Sequence, residues 1–339
     1  MTDDAAIEML HERLTELLGP RGVSAQPKAL ERASVDGSRM SPVISELLPL
    51  GTAQLVAFPT TPEQIAATVG AAVDLGVPVT PRGKGTGNYG QALPFHGGLV
   101  IDTSRARTIV EIADGIITAD AGATMMSLEQ AAQASGQQLW MYPSTTNSSL
   151  GGFLAGGSGG TGTIAHGANH EGFVVALDVV SADGRGLRHI EGDEAQHYVH
   201  NYGTVGIIAR ASVRLEPLVE WRALYASFPS FNGALSVIRE IGRLTPSPRL
   251  VSADTIEVSR ALPKDAAIPD GRSSLRTILP PEGVAPATAL IEAAGGRVED
   301  ERVSPQEAAK LSTLSYNHPI EYLQTSRPGF YYHLEVSGD

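Results

Sequence analysis

The stretch that decides the fold is Pro78–Pro94, PVTPRGKGTGNYGQALP. Its glycines at 85, 87 and 90 have the GxGxxG spacing of a dinucleotide-binding fingerprint. That fingerprint requires a strand before it, a helix opening inside it, and an acidic residue about 20 positions further on. Val77 to Thr80 read as the strand. The helix is ruled out, because QALPFHGG (91–98) puts Pro94, Gly97 and Gly98 where it would run. Asp102 falls in the following strand instead. A Walker loop is ruled out too, since no Gly-Lys-Ser/Thr ending is present. What remains is a glycine loop that presents backbone N–H groups to a phosphate without a helix dipole.

Upstream, AQLVAFP (53–59) reads as a strand, and PTTPEQIAATVGAAVDLG (59–76) as a helix. Thr61 caps it, Pro62 suits its first turn, Gln64 completes a capping box, and Gly76 ends it. Ile65, Val69 and Val73 form its apolar stripe. Downstream, GGLVIDTS (97–104) is a strand and TIVEIADGIITADAG (108–122) a hairpin turning at Asp114-Gly115. A helix from about Met125 to Ser135 follows, stopped by Gly136. The pattern is α+β rather than strict βαβ alternation.

From Glu129 to Glu171 there is no intervening Asp, Glu, Lys or Arg. The centre of this region is PSTTNSSLGGFLAGGSGGTGTIAHG (143–167). A flexible linker would not normally carry Leu150, Phe153, Leu154 and Ile164. Dense glycines instead let backbone approach a ligand closely. GFVVALDVVSADGRGLRHI (172–190) is a second hairpin, and YGTVGIIARASVRLEP (202–217) is a glycine turn entering a strand. Beyond Pro217 the style changes. EWRALYASFPSFNGALSVIREIG (220–242) reads strand then helix, and SLRTILPPEGVAPATALIEAAGGRV (274–298) reads strand, helix, strand. A domain boundary is expected at Pro217, giving 1–217 and 218–339.

The three segments 81–94, 143–167 and 202–217, in this order, resemble the FAD-contacting segments of the vanillyl-alcohol oxidase / p-cresol methylhydroxylase (PCMH) superfamily. The likeness covers about residues 50 to 217 and is nearest to bacterial oxidases of the glycolate and lactate dehydrogenase type. It implies a two-subdomain FAD-binding domain followed by a short α/β substrate cap. It also implies that Arg82, Gly83, Lys84, Gly85, Thr86, Gly87 and Asn88 wrap the FAD pyrophosphate. Pro143, Ser144, Ser148, Gly151, Gly152, Gly156, Gly157 and Thr163 would run beside the ribityl chain and isoalloxazine. Gly203, Gly206 and Ile208 would grip the adenosine end. Related proteins with covalent flavin often have histidine where Thr86 stands, and this chain has no cysteine, so a dissociable FAD is expected.

The cap implied by the resemblance is short here. FYYHLEVSGD (330–339) reads as a cap strand, and the protein is minimal, or a fragment, or completed by a partner chain. The expected reaction is oxidation of a small hydroxy acid or alcohol by hydride transfer to flavin N5, with electrons passed to O2 or another carrier. An NADPH-using reductase of the same fold and a non-catalytic flavin-binding subunit are the alternatives. Candidate bases are Tyr89, His166, His170, Tyr316 and His318. SYNHP (315–319) is preferred among them, because it gathers polar groups beside a proline-fixed turn and resembles a polar motif in related caps.

Composition limits the partners. The formal charge is −12, with 37 acidic and 25 basic residues, which argues against nucleic acid or anionic lipid. The absence of cysteine excludes disulfides, thiolate zinc sites and cysteine nucleophiles. No HExxH motif is present, and His166 and His170 lie among glycines where no helix is expected, so no metal site is read. Ile7, Leu10, Leu14 and Leu17 mark an amphipathic first helix rather than a signal peptide. A cytoplasmic protein without a membrane span is expected.

Overall fold

The computed structural model describes residues 4–327 apart from 39, 49 and 158. The expected cap strand 330–339 lies outside the described residues. The chain divides into two compact units. One comprises Met1–Trp140, Thr145–Ser158 and Ala168–Pro217; the other comprises Met141–Ser144, Gly159–Gly167 and Leu218–Asp339.

The first unit holds two sheets. The smaller has strands β1 (Val23–Ser24), β2 (Leu55–Ala57), β3 (Val79–Arg82) and β4 (Leu99–Asp102), in the order β1-β2-β4-β3. Both β2 and β3 run parallel to β4, whereas β1 is antiparallel to β2. The helix Pro62–Asp74 makes the β2-to-β3 crossover and buries Ile65, Val69 and Ala72 against Leu55, Leu99 and Ile101. Val73, placed on the apolar stripe by spacing, is 41% exposed. Thr61 caps the helix by accepting from Gln64 N–H at 3.3 Å. The return bond of the capping box goes one residue further back than expected: Gln64 Oε1 accepts from Thr60 N–H. The first helix, Asp4–Leu18, buries Leu10 and Leu14 in the same core.

The larger sheet has β5 (Ile109–Ala113), β6 (Ile116–Asp120), β7 (Gln137–Leu139), β8 (Val174–Ser181), β9 (Leu187–Glu191) and β10 (Gly206–Pro217). Its order is β5-β6-β10-β8-β9, with β7 on the far end of β10. Both hairpins form as read: β5 pairs with β6 and β8 with β9. Their turn glycines, Gly115 (φ +75°) and Gly184 (φ +69°), sit in the left-handed region that side chains avoid.

The second unit is built on an antiparallel sheet of β11 (Arg222–Phe228), β12 (Leu250–Asp254), β13 (Ser273–Leu279) and β14 (Arg297–Val303), in the order β12-β13-β11-β14. Helices Phe231–Gly242 and Pro281–Ala293 cover one face, closing a core of Leu224, Phe228, Val237, Ile241, Leu275 and Ile291. The other face is more polar. There Tyr225 lies beside Arg276, and Arg276 is fully buried and paired with Asp254. Arg302 lies over the Tyr225 ring, 4.5 Å from its centroid. Burial pushes the Tyr225 phenol up to about 12.

Candidate functional site

In the first unit, the loop after β3 is a row of open donors. The backbone N–H groups of Lys84 to Asn88 donate to nothing among the described residues. Gly85 has φ +65°, and a Cβ there would lie 2.1 Å from an Arg82 guanidinium nitrogen. The same guanidinium donates to the Val35 carbonyl at 2.5 Å, and burial lowers its pKa. Arg82 therefore braces the loop from beneath. Lys84 is exposed and Asn88 half-buried. A Cβ on Gly37 would come within 3.0 Å of the Thr86 and Gly87 carbonyls, so segment 35–38 supports the loop from a second side.

The second glycine segment meets this loop through its hydroxyls. Thr86 Oγ1 and Ser148 Oγ lie 2.8 Å apart. A Cβ on Gly83 would fall 2.0 Å from Ser149 Oγ, so only glycine lets the two backbones close. Ser149 caps the helix Leu150–Gly156, accepting from Gly152 N–H at 3.3 Å. Gly151 packs on Ala121, where a Cβ would be 2.7 Å from Ala121 Cβ. Gly152 is exposed, and at Gly156 a Cβ would meet nothing nearer than Gln91 Nε2 at 3.9 Å. The helix thus has one face packed and one face bare.

The third segment closes on both. His200 and Tyr202 N–H donate to the Leu154 and Ala155 carbonyls, capping the other end of that helix. Both residues hold φ above +50° (52° and 59°), a strained conformation for side-chain-bearing residues. Gly203 (φ +75°) approaches Pro81 of β3, where a Cβ would be 2.9 Å from the proline Cγ. Gly206 lies against the Val180 carbonyl, 2.5 Å from a Cβ position. Ile208 is buried in β10 opposite Val179. The three segments therefore converge on the helix Leu150–Gly156.

Pro143, Ser144 and Thr163 fall in the second unit. There Tyr142 and Thr161 exchange backbone bonds, and Thr163 Oγ1 accepts from Gly160 N–H at 2.7 Å. The unit also gathers Arg249, whose guanidinium lies 4.9 Å from the Tyr142 ring centroid and 5.4 Å from that of Trp221. Gly162 N–H donates to the Arg249 carbonyl. The Tyr316 hydroxyl lies toward Thr161, and Thr161 bonds Ser312. Tyr316 as a residue is 46% exposed, yet its hydroxyl reaches the fully buried Thr161. Burial of the hydroxyl raises the Tyr316 pKa well above the phenol range, so it stays a neutral donor at physiological pH.

SYNHP is a junction between two helices, Pro305–Thr313 and His318–Ser326, with Tyr316 in the left-handed region at φ +59°. His318 opens the second of them. Its Nδ1 lies 3.4 Å from Glu321, and its Nε2 is buried without a partner among the described residues. Among the other candidates, Tyr89 is 54% exposed, His170 is exposed, and His166 ends a short helix, Thr163–His166, that was not expected among the glycines. Sequence reasoning missed Arg249, Thr161 and Asn169. Only their burial and partners single them out, and neither is visible in a glycine pattern.

Residues 53–189 match the family model for an FAD binding domain. An uncharacterized FAD-linked oxidoreductase of Mycobacterium tuberculosis is 30% identical over 195 residues, 55% of this chain and 42% of that protein. The D-lactate dehydrogenase of Archaeoglobus fulgidus is 29% identical over 199 residues, 56% of this chain and 45% of that one. Among solved structures, an alkyldihydroxyacetonephosphate synthase superposes with a TM-score of 0.77 at 18% identity, covering 94% of this chain and 64% of that one. The chain spans less than half the length of these two curated relatives.

The chain carries an FAD-binding domain of the PCMH type, and FAD is its cofactor. The residues present fit that group: among the described residues a row of backbone N–H donors has no protein partner, and the helix beside it exposes Gly152. Among the described residues, no helix is long and apolar enough to cross a membrane.

Proposed function

We propose that this chain is an FAD-dependent oxidoreductase that oxidises a small hydroxy acid or alcohol. The observation that carries the reading is the open-donor loop Lys84–Asn88, tied to the second glycine segment through Thr86 and Ser148. In an acidic chain, neutral backbone donors can bind a pyrophosphate without a basic patch. The likeness to the Archaeoglobus D-lactate dehydrogenase supports the hydroxy-acid class. Residues 1–217 serve as the FAD-binding domain and 218–339 as the cap, and FAD is held without a covalent bond.

Bound FAD supplies a hydride acceptor at N5. This chain's residues must then position the carbon, orient the oxygen and take the hydroxyl proton as the carbonyl forms. His318 Nε2 is the proton acceptor in this reading. It is supported by Glu321 beside Nδ1, which favours the protonated ring. Tyr316 acts as a neutral donor rather than a base, consistent with its raised pKa. Electrons leave to O2 or another carrier.

An anaerobic reduction screen of the FAD-loaded protein against hydroxy acids, alcohols and NADPH tests the class. Bleaching by a hydroxy acid supports it. Bleaching by NADPH alone would replace it with a reductase, and no bleaching by any donor would leave a flavin-binding subunit. With a substrate in hand, His318→Ala should keep the flavin spectrum and slow reduction about 100-fold. An unchanged rate removes His318 from the mechanism.

A further inference from the structure

At the end of β6 the chain turns through Ala121 to Thr124, and this turn carries the helix Leu150–Gly156. The Ala121 and Ala123 carbonyls accept from Gly151 N–H at 2.9 Å and from Leu150 N–H at 2.8 Å. Gly152 N–H goes to Ser149 Oγ. These N-terminal donors of the helix are spent inside the protein, so they are not open to a diphosphate as such donors usually are. Met125 and Met126 N–H return the contact, donating to the Ser148 and Thr146 carbonyls. The place of the turn therefore sets the place of Ser148, whose hydroxyl meets Thr86 in the open-donor loop.

The turn is gripped by an ion pair. Asp120, its entry residue, is 2% exposed, and Arg210 Nε and Nη2 each lie 2.8 Å from its Oδ1. The two residues stand opposite each other in the β6–β10 pairing. On the other side of β10 the register with β8 shifts between Ile208 and Arg210, so Ala209 is a bulge. Bulges re-aim the side chains beside them. The Ala209 carbonyl accepts from Ala121 N–H at 2.9 Å, so Ala209 and Arg210 hold consecutive residues, Ala121 and Asp120. A second carboxylate, that of Asp178, stands 4.0 Å from Arg210 Nη1. Desolvation offsets much of the attraction in a buried ion pair, so net stability is a weak reason for one to sit here.

We propose that Asp120 and Arg210 are cofactor-positioning residues. By fixing the turn Ala121–Thr124 they set where Ser148 and the helix Leu150–Gly156 stand against the open-donor loop, and so how tightly FAD is held. The pair acts through the turn rather than through a contact of its own with the cofactor. The inference rests on FAD being the ligand of this domain.

The test compares FAD affinity, from fluorescence titration of the full apo-chain, with the thermal stability of the same apo-protein. Arg210→Met should weaken FAD binding about 10-fold and change the visible circular dichroism of the flavin that does bind. Leu10→Ala removes core packing in the helix Asp4–Leu18 of the same unit, so it should lower the unfolding temperature yet leave FAD affinity within about 2-fold. Should Arg210→Met not fold, Asp120→Asn takes its place. It keeps an acceptor oxygen and drops the charge, and should weaken FAD binding about 3-fold. A pair variant that binds FAD as tightly as wild type overturns the proposal. So does a Leu10→Ala loss of affinity equal to that of the pair variant, which would make the effect one of stability alone. Wild-type protein that takes up no FAD at all overturns the cofactor reading and the proposal with it, so the two failures look different.

Discussion

Thr86 and Ser148 share a hydrogen bond, Oγ1 to Oγ at 2.8 Å, across 62 positions of sequence. Ser148 is itself held by Thr145 Oγ1 at 2.7 Å. The pair joins the middle of the open-donor loop to the segment that starts the helix Leu150–Gly156. Thr86→Val keeps the shape and removes the bond, so FAD affinity should fall about 5- to 10-fold, the worth of one hydrogen bond. Fluorescence titration of the apo-variant measures it. An undiminished affinity would show that the loop holds its shape without the bond. Because Thr86 offers no covalent linkage and the chain has no cysteine, acid precipitation should leave the flavin in the supernatant.

Gly85→Asp should abolish FAD uptake, whereas Lys84→Ala should weaken it only a few-fold. At Gly85 a Cβ would collide with the Arg82 guanidinium, and φ +65° disfavours any side chain. Lys84 is exposed, and an exposed charge contact contributes about 1 kcal/mol at most. Equal losses in the two titrations would make Lys84 a main anchor and would contradict the backbone-donor reading.

Arg302→Ala should destabilise the second unit by roughly 2–3 kcal/mol, the scale of charge-assisted hydrogen bonds. Arg302 makes a two-pronged contact to Asp265, at 2.6 and 2.9 Å, and also bonds Asp300 and Glu307. The Arg302 hydrogen bonds hold the Asp265 carboxyl far below its ordinary value of 3.8. A depressed carboxylate contributes stability that is fully present above 3.8 and lost as pH falls from there toward its folded value. Denaturant unfolding of wild type and variant should therefore converge as pH drops below that point.

His189 should titrate above its ordinary value of 6.5, because Asp178 and Glu191 accept hydrogen bonds from its ring. Asp178→Asn should bring it back down in a histidine NMR titration. The sign is the reverse of the Asp265 case: the stabilisation is complete below 6.5 and disappears as pH rises through the folded value. The ring is 60% exposed, so the effect on unfolding should be small. A shift unchanged in Asp178→Asn would assign it to Glu191.

Much of this architecture was legible from local chemistry. The helix Pro62–Asp74 is announced by its cap, its proline and its stripe, and the two hairpins by Asp-Gly turns. These signals are short-range, and the tertiary structure had no reason to override them. The order of the three glycine segments was equally readable, because a ligand-hugging backbone must omit side chains wherever it approaches closely. Less legible was what each named residue does. Arg82 reads as a phosphate contact, but its guanidinium turns to the Val35 carbonyl, 47 residues away.

By itself, the sequence determined the element types, the turns and the glycine loop that excludes a Rossmann helix, because these depend on φ limits, capping and periodicity within a few residues. Only the tertiary structure decided which distant groups meet. It split 143–167, so that Ser148 to Gly157 joined the first unit while Pro143, Ser144 and Thr163 joined the second. It brought Tyr316 toward Thr161, and among the described residues it left Asn169 Oδ1 buried without a donor. Burial and hydrogen-bond partnership are sums over neighbours far apart in the chain, and no local pattern encodes them.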